Sequence, residues 1–162
     1  MTTFANPAAL LTAVGADLGT TAWLEIDQQR IDGFAAATGD EQWIHVDPQR
    51  AAAGPFGGTI AHGYLSLSLL ASFTAQLLEV DHVAMAINYG LDRVRFLQPV
   101  QSGSRLRAHG SITSAEAVGL GVRVGVKMTV EIDGESKPAL VADTIVLFAA
   151  EPDSAPPAEE PS

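Results

Sequence analysis

The run HGYLSLSLLASFTAQLLE at residues 62–79 decides the fold. Tyr64, Leu65, Leu67, Leu69, Leu70, Phe73, Leu77 and Leu78 point nearly all round a helix of 3.6 residues per turn, and Ser66, Ser68, Ala71, Ser72, Thr74 and Ala75 fill the gaps. A helix apolar on most sides, with small residues between, is a buried helix, so the rest of the chain must cover it. Residues 83–97, 104–115, 119–132 and 139–149 read as the strands that do so. In 119–132, Leu120, Val122, Val124, Val126, Met128, Val130 and Ile132 alternate with Gly121, Arg123, Gly125, Lys127, Thr129 and Glu131. That period of two predicts an antiparallel strand with one wet face. Asp133-Gly134 signals a hairpin, and Pro99 with Gly103 marks the turn after the first long strand. One long helix followed by four long antiparallel strands predicts an α+β domain, a curled antiparallel sheet wrapped around a long central helix.

Composition narrows the rest. A chain of 162 residues is the size of one domain. The reading is a single domain over 1–150 and a Pro-, Glu- and Ser-rich tail over 151–162 that is expected to be disordered. A hydrophobic fraction of 47% supports a real core, and a charged fraction of only 17% suits a chain that buries further surface in an oligomer. There is no cysteine, which excludes disulfides and thiolate zinc sites. The N-terminus lacks the basic and apolar regions of a signal peptide. No apolar run reaches the ~18 residues that span a bilayer, so a cytoplasmic protein is expected. The net charge is −10, and the body is still acidic without the four acids of the last twelve residues, which argues against nucleic acid as a partner. Four of the nine basic residues, Arg93, Arg95, Arg105 and Arg107, share one short window. They read either as a solvated strand face with cross-strand partners or as a site for an anionic carrier such as coenzyme A.

Working outward towards the N-terminus, a short helix is expected around residues 7–14, broken at Gly15, and a strand over 20–26. Asp27 is a good N-cap for a helix over 28–38, whose apolar face carries Ile31, Phe34, Ala35 and Thr38. Gly39 stops it. Asp47-Pro48 starts the next short helix, and Gly54-Pro55 ends it. Asp40 and His45 therefore fall on the turn between two helices. On a continuous helix they would lie roughly 140° apart, but on a turn both can face one cleft. An acid and an imidazole in one cleft can hold and polarise a water, the minimum for general acid–base work. The local alternative stays open: Asp40 caps a turn and His45 is a satisfied buried histidine. His62-Gly63 opens the long helix after the glycine-rich loop 54–59. A helix N-terminus offers free N–H groups, and a glycine there lets a carbonyl oxygen come close. The alternative is a tight turn with His62 packed beneath it. His45, Asp47 and His62 with Asp40 match no strong metal motif. Trp43 either packs under the turn or lines an acyl pocket.

With those residues in view, the sequence resembles the MaoC-like dehydratases, or (R)-specific enoyl-CoA hydratases, and among them the single-hotdog, NodN-like actinobacterial members. The resemblance runs from about residue 20 to 149 and rests on Phe34, Thr38-Gly39-Asp40, Ile44-His45, Asp47-Pro48, Ala52 and Ile60-Ala61-His62-Gly63. The stretch NYGLDRVRFLQPVQSGSRL at 88–106 adds the family's Arg-Phe, Pro-Val and Gly-Ser landmarks. The resemblance implies a hotdog fold, a homodimer and reversible hydration of a trans-2-enoyl thioester to the (R)-3-hydroxyacyl form. Asp40 and His45 would hold the catalytic water, and the Gly63 N–H would stabilise the thioester enolate. Trp43, His62, Arg93 and Arg95 are the expected substrate-binding residues. Neither a metal nor a redox cofactor is implied, coenzyme A entering only as part of the substrate. One departure is plain: the family's usual Asn-Pro is here Gln42-Trp43, a change that bears on the turn and the pocket shape. A hotdog thioesterase and a non-catalytic acyl-binding or partner subunit are the competing functions.

Overall fold

The computed structural model describes residues 1–151. From the N-terminus come β1 (Thr2–Phe4), a 3-10 helix (Pro7–Thr12), β2 (Asp17–Thr20) and β3 (Leu24–Ile26). Four short helical elements follow: α1 (Gln28–Thr38), α2 (Trp43–Val46), α3 (Pro48–Ala52) and α4 (Gly63–Ser68). Then come α5 (Leu70–Leu77), β4 (Leu78–Val80), β5 (Val83–Phe96), β6 (Ser104–Val118), β7 (Gly121–Ile132) and β8 (Leu140–Ala150). The sheet runs β2-β6-β7-β8-β5, with β3 also on β6. Its pairings are antiparallel, whereas β1 pairs β4 in parallel apart from it.

The α4–α5 helix lies against the concave face of this sheet. Leu65, Leu70, Phe73 and Leu77 are buried there with Leu106, Ile112, Val124, Val126, Met128, Val130, Leu140 and Val146. The even-numbered positions of β7 are the inward ones, as their alternation requires. Burying each such side chain contributes ~1.5–3 kcal/mol. A long helix resting in a curled antiparallel sheet is the hotdog fold.

The structure departs from the sequence reading in three places. The helix is interrupted at Leu69, whose N–H is shared between the Leu65 and Leu67 carbonyls. The Ser68 hydroxyl donates to the Leu65 carbonyl at 2.7 Å, the side-chain competition that loosens a turn. Secondly, the helix is covered on one face only: Tyr64 is 71% exposed, and Ala71, Ser72, Ala75 and Gln76 are open as well. Thirdly, β5 is exposed along nearly all of its length. It forms the sheet edge, and Met85, Ile87, Tyr89 and Leu91 stand open on it. The tail expected from 151 onward lies, beyond Glu151, outside the described residues. Among the described residues no helix is long and apolar enough to cross a membrane.

Candidate active site

Local sequence sets the positions of the site residues. The Asp27 carboxylate accepts the Arg30 N–H at 2.8 Å and starts α1. Gly39, at φ 76°, ends it by donating its N–H to the Ala35 carbonyl at 2.8 Å. That left-handed residue swings the chain away from the helix axis and leaves the Asp40 side chain exposed. His45 sits on the single turn α2, because its N–H bonds the Gln42 carbonyl and the Asp47 N–H bonds that of Trp43. The Asp47 carboxylate then caps α3.

Asp40, His45 and His62 meet, each offering one ligand-type atom within 4.8 Å of the other two. His45 is 6% and His62 2% exposed. Their rings stack, with centroids 3.7 Å apart and planes 25° from parallel. His45 Nδ1 lies 2.7 Å from the Ile60 carbonyl oxygen. A carbonyl can only accept, so Nδ1 carries the proton and Nε2 keeps a free lone pair. His62 Nε2 lies 2.8 Å from the main-chain oxygen of Asp40, which assigns its proton in the same way. His62 Nδ1 is buried with no hydrogen-bond partner among the described residues.

Beside this group is a cavity of about 410 Å³, lined by His45, Ile60, Gly63, Ser66, Phe96 and Val100 among others. Gly63 is the first residue of α4, where N–H groups have no partner within the helix. A methyl group at this position would lie 3.3 Å from the Phe96 ring, so glycine keeps the passage between ring and helix open. The cavity thus has a base lone pair and free N–H groups on its wall, and the Asp40 carboxylate stands next to that base, outside the lining. Asp40, His45 and His62 are spaced closely enough to be read as metal ligands as well.

None of the four expected binding residues lines this cavity, and His62 is buried against His45 instead. Trp43 faces the other side of the turn, with Arg50 4.4 Å from the centre of its ring and Gly54 packed against it. A ring so large on a one-turn helix is taken up by its own loop. Arg93 pairs with Asp143 at 2.8 Å, directly across β5 and β8. Arg93 and Arg95 line an outer groove of about 650 Å³ with Lys127, Asp92 and Asp143. Arg105 and Arg107 pair with Asp133 and Glu131 and lie near Trp23.

Sequence reading passed over several contributors. Gln28 donates from Nε2 to the His45 carbonyl at 2.7 Å and to Asp32 at 2.8 Å, and its Oε1 accepts the Thr59 hydroxyl at 2.5 Å. Nothing in the local pattern marks it, since a glutamine after an N-cap reads as surface. Ile60 supplies the acceptor for His45 through its main chain, which no side-chain pattern can reveal. Phe96 was visible only as the Arg-Phe landmark.

The MaoC like domain family matches residues 9–135. The 3-hydroxyacyl-thioester dehydratase Z of Mycobacterium tuberculosis is 51% identical over 93% of this chain and 100% of its own length. Nodulation protein N of Rhizobium leguminosarum bv. viciae is 44% identical over 88% of this chain and 91% of its own. Among solved structures, the unliganded R-hydratase PhaJ1 of Pseudomonas aeruginosa superposes with a TM-score of 0.70 at 26% identity, covering 85% of this chain and 83% of that one. Fold, site and relatives together define a hotdog-fold hydro-lyase. More narrowly, the chain belongs to the MaoC-like family.

Proposed function

We propose that the protein adds water reversibly across the double bond of a trans-2-enoyl thioester, giving the (R)-3-hydroxyacyl thioester, with coenzyme A or an acyl carrier protein as the thiol. The observation that carries this reading is the free Nε2 lone pair of His45, fixed by the Ile60 carbonyl and set close to Asp40 beside the Gly63 cavity. A water held by the Asp40 carboxylate and His45 Nε2 attacks C3 as His45 takes its proton. The thioester oxygen gains negative charge and is stabilised by the Gly63 N–H. The proton held by His45 then passes to C2, so that one water is added and both groups return to their starting forms. Because the group that takes the proton from water also returns it to C2, H and OH add to the same face. In the reverse direction the same groups remove water. These side chains and N–H groups suffice for the reaction, which needs neither a metal nor a redox cofactor.

A second cavity of about 290 Å³ lies farther along the helix, between Leu67, Leu70, Ala71 and Thr74 and the strand residues Leu91 and Val146. Its largely apolar wall suits the acyl tail. Arg93 and Arg95, with Lys127, are the groups in reach of a carrier phosphate on the outer face. The working unit in this reading is a homodimer. A 14-residue edge strand with Met85, Ile87, Tyr89 and Leu91 exposed is an edge that proteins ordinarily cover, and a second copy would cover the open side of the helix as well.

Hydration of crotonyl-CoA, followed through loss of the enoyl-thioester absorbance with product chirality determined, tests the reading. Asp40→Asn and His45→Gln are each expected to stop turnover. Full activity in both variants would overturn the assignment, and release of free thiol without hydration would point to a thioesterase instead.

A further inference from the structure

We propose that His62 is a positioning residue that holds both catalytic groups at once, a role that rests on the hydration reading above. It stands at the N-cap of α4 but makes no side-chain capping bond there, so the usual local role of a residue at this place is unfilled. Its ring is spent elsewhere. Nε2–H donates to the main-chain oxygen of Asp40, 22 residues earlier in the chain. One face stacks on His45, and the Phe34 ring lies at 5.0 Å in a tilted arrangement.

The orphaned Nδ1 sharpens this. Leaving a buried ring nitrogen unpaired is unfavourable, and folded chains rarely keep such a group without a compensating role. A phenylalanine would stack on His45 without the orphan, but it could not hold Asp40. A glutamine could reach the Asp40 oxygen, but it would offer no ring to His45. Histidine alone among the side chains that fit both places does both, and the unpaired nitrogen is what remains. The two contacts act on different catalytic groups. The hydrogen bond anchors the turn after Gly39 and so places the Asp40 carboxylate. The stack fixes the plane in which the His45 Nε2 lone pair lies.

The test compares His62→Ala, His62→Phe and His62→Gln for crotonyl-CoA hydration, alongside the His45 ring-nitrogen signals in 15N NMR. Displacing a catalytic group by about 1 Å lowers rate by ~10²-fold. His62→Ala is therefore expected to lose ~10²-fold in kcat with KM held within about threefold. Phe and Gln should each recover part of that loss, because each keeps one contact. Without the stack the ring can turn away from the Ile60 carbonyl, so the Nδ1–H tautomer of His45 should be held in the Phe variant and mix with the other form in the Ala and Gln variants. Should the Ala variant fail to fold, the Phe and Gln pair decides alone. Equal kcat in Phe, Gln and the parent would overturn the inference, and so would a loss in all variants that follows their Tm with the His45 tautomer unmoved. Loss of activity in Asp40→Asn and His45→Gln but not in the His62 variants would refute this role and leave the hydratase reading standing.

Discussion

Gln28→Ala is the substitution through which the architecture of the site is best measured. The Gln28 carboxamide joins three parts of the chain: the start of α1, the His45 carbonyl 17 residues on and the Thr59 hydroxyl 31 residues on. Thr59 is 6% exposed, and His45 is equally sealed, so truncation at 28 strands a hydroxyl and a carbonyl where water reaches poorly. Each stranded buried group costs about 1–3 kcal/mol. Taking partial access for water at the half-buried Gln28 position, the expected loss is about 2–4 kcal/mol. For a chain of this size it corresponds to a fall in Tm of roughly 5–15 °C. Thr59→Val removes the hydroxyl that Gln28→Ala would strand, so the double variant should lose less than the sum of the two singles. Thermal and urea unfolding of the four proteins at one protomer concentration measures this, since the apparent stability of the proposed homodimer would depend on concentration. Gln28→Glu should be no better than Ala, because it loses the donor to His45 and sets a carboxylate against Asp32. A Tm for Gln28→Ala within a degree of the parent, or strict additivity with Thr59→Val, would refute the reasoning.

The other predictions concern the cavity and the sheet edge. Gly63→Val keeps the N–H but crowds the substrate away from it, and should lower kcat by ~10²-fold, the effect of a misplacement of about 1 Å. The side chain enters the space between α4 and the Phe96 ring. Gly63→Ala should cost less, and Phe96→Ala in the same chain should recover part of its loss in the hydration assay. Ala71→Phe, which fills the apolar cavity beside α5, should leave crotonyl-CoA turnover within a fewfold of the parent and lower activity on eight- and ten-carbon enoyl thioesters. Equal losses on short and long chains would remove that cavity from the substrate path. Ile87→Asp with Tyr89→Lys on the exposed face of β5 should shift the mass in analytical ultracentrifugation from two copies to one. An unchanged mass would count against a homodimer built on this edge.

Much of the fold was legible because local rules governed it. Asp27 and Gly39 bound α1 as an N-cap and a left-handed stop do, and the alternation over 119–132 became β7 with its even-numbered residues inward. The meeting of Asp40 with His45 was legible from the two helix signals that flank them. The partners that orient these groups were not. His62 bonds Asp40 across 22 residues, and Gln28 reaches Thr59 across 31. Such contacts depend on how helices dock, which periodicity does not encode. Of the two readings of Trp43, packing at the turn or lining an acyl pocket, its contacts with Arg50 and Gly54 match the first. The helix at 62–79 looked apolar all round, yet the sheet covers only one of its faces, and the β5 edge stands bare as well. In the homodimer proposed above, a second copy would take up both.

Both histidine rings of the site take their protonation form from a main-chain oxygen, Ile60 for His45 and Asp40 for His62. Side-chain replacement does not delete a carbonyl. Position 60 can therefore be varied for pocket shape, in a library or over evolutionary drift, without taking from the base the acceptor that defines it. At position 40, substitution can abolish the carboxylate and still leave the anchor for His62 in place. Chemical competence and structural restraint are thus separable at single residues, which makes this pocket unusually open to redesign from within.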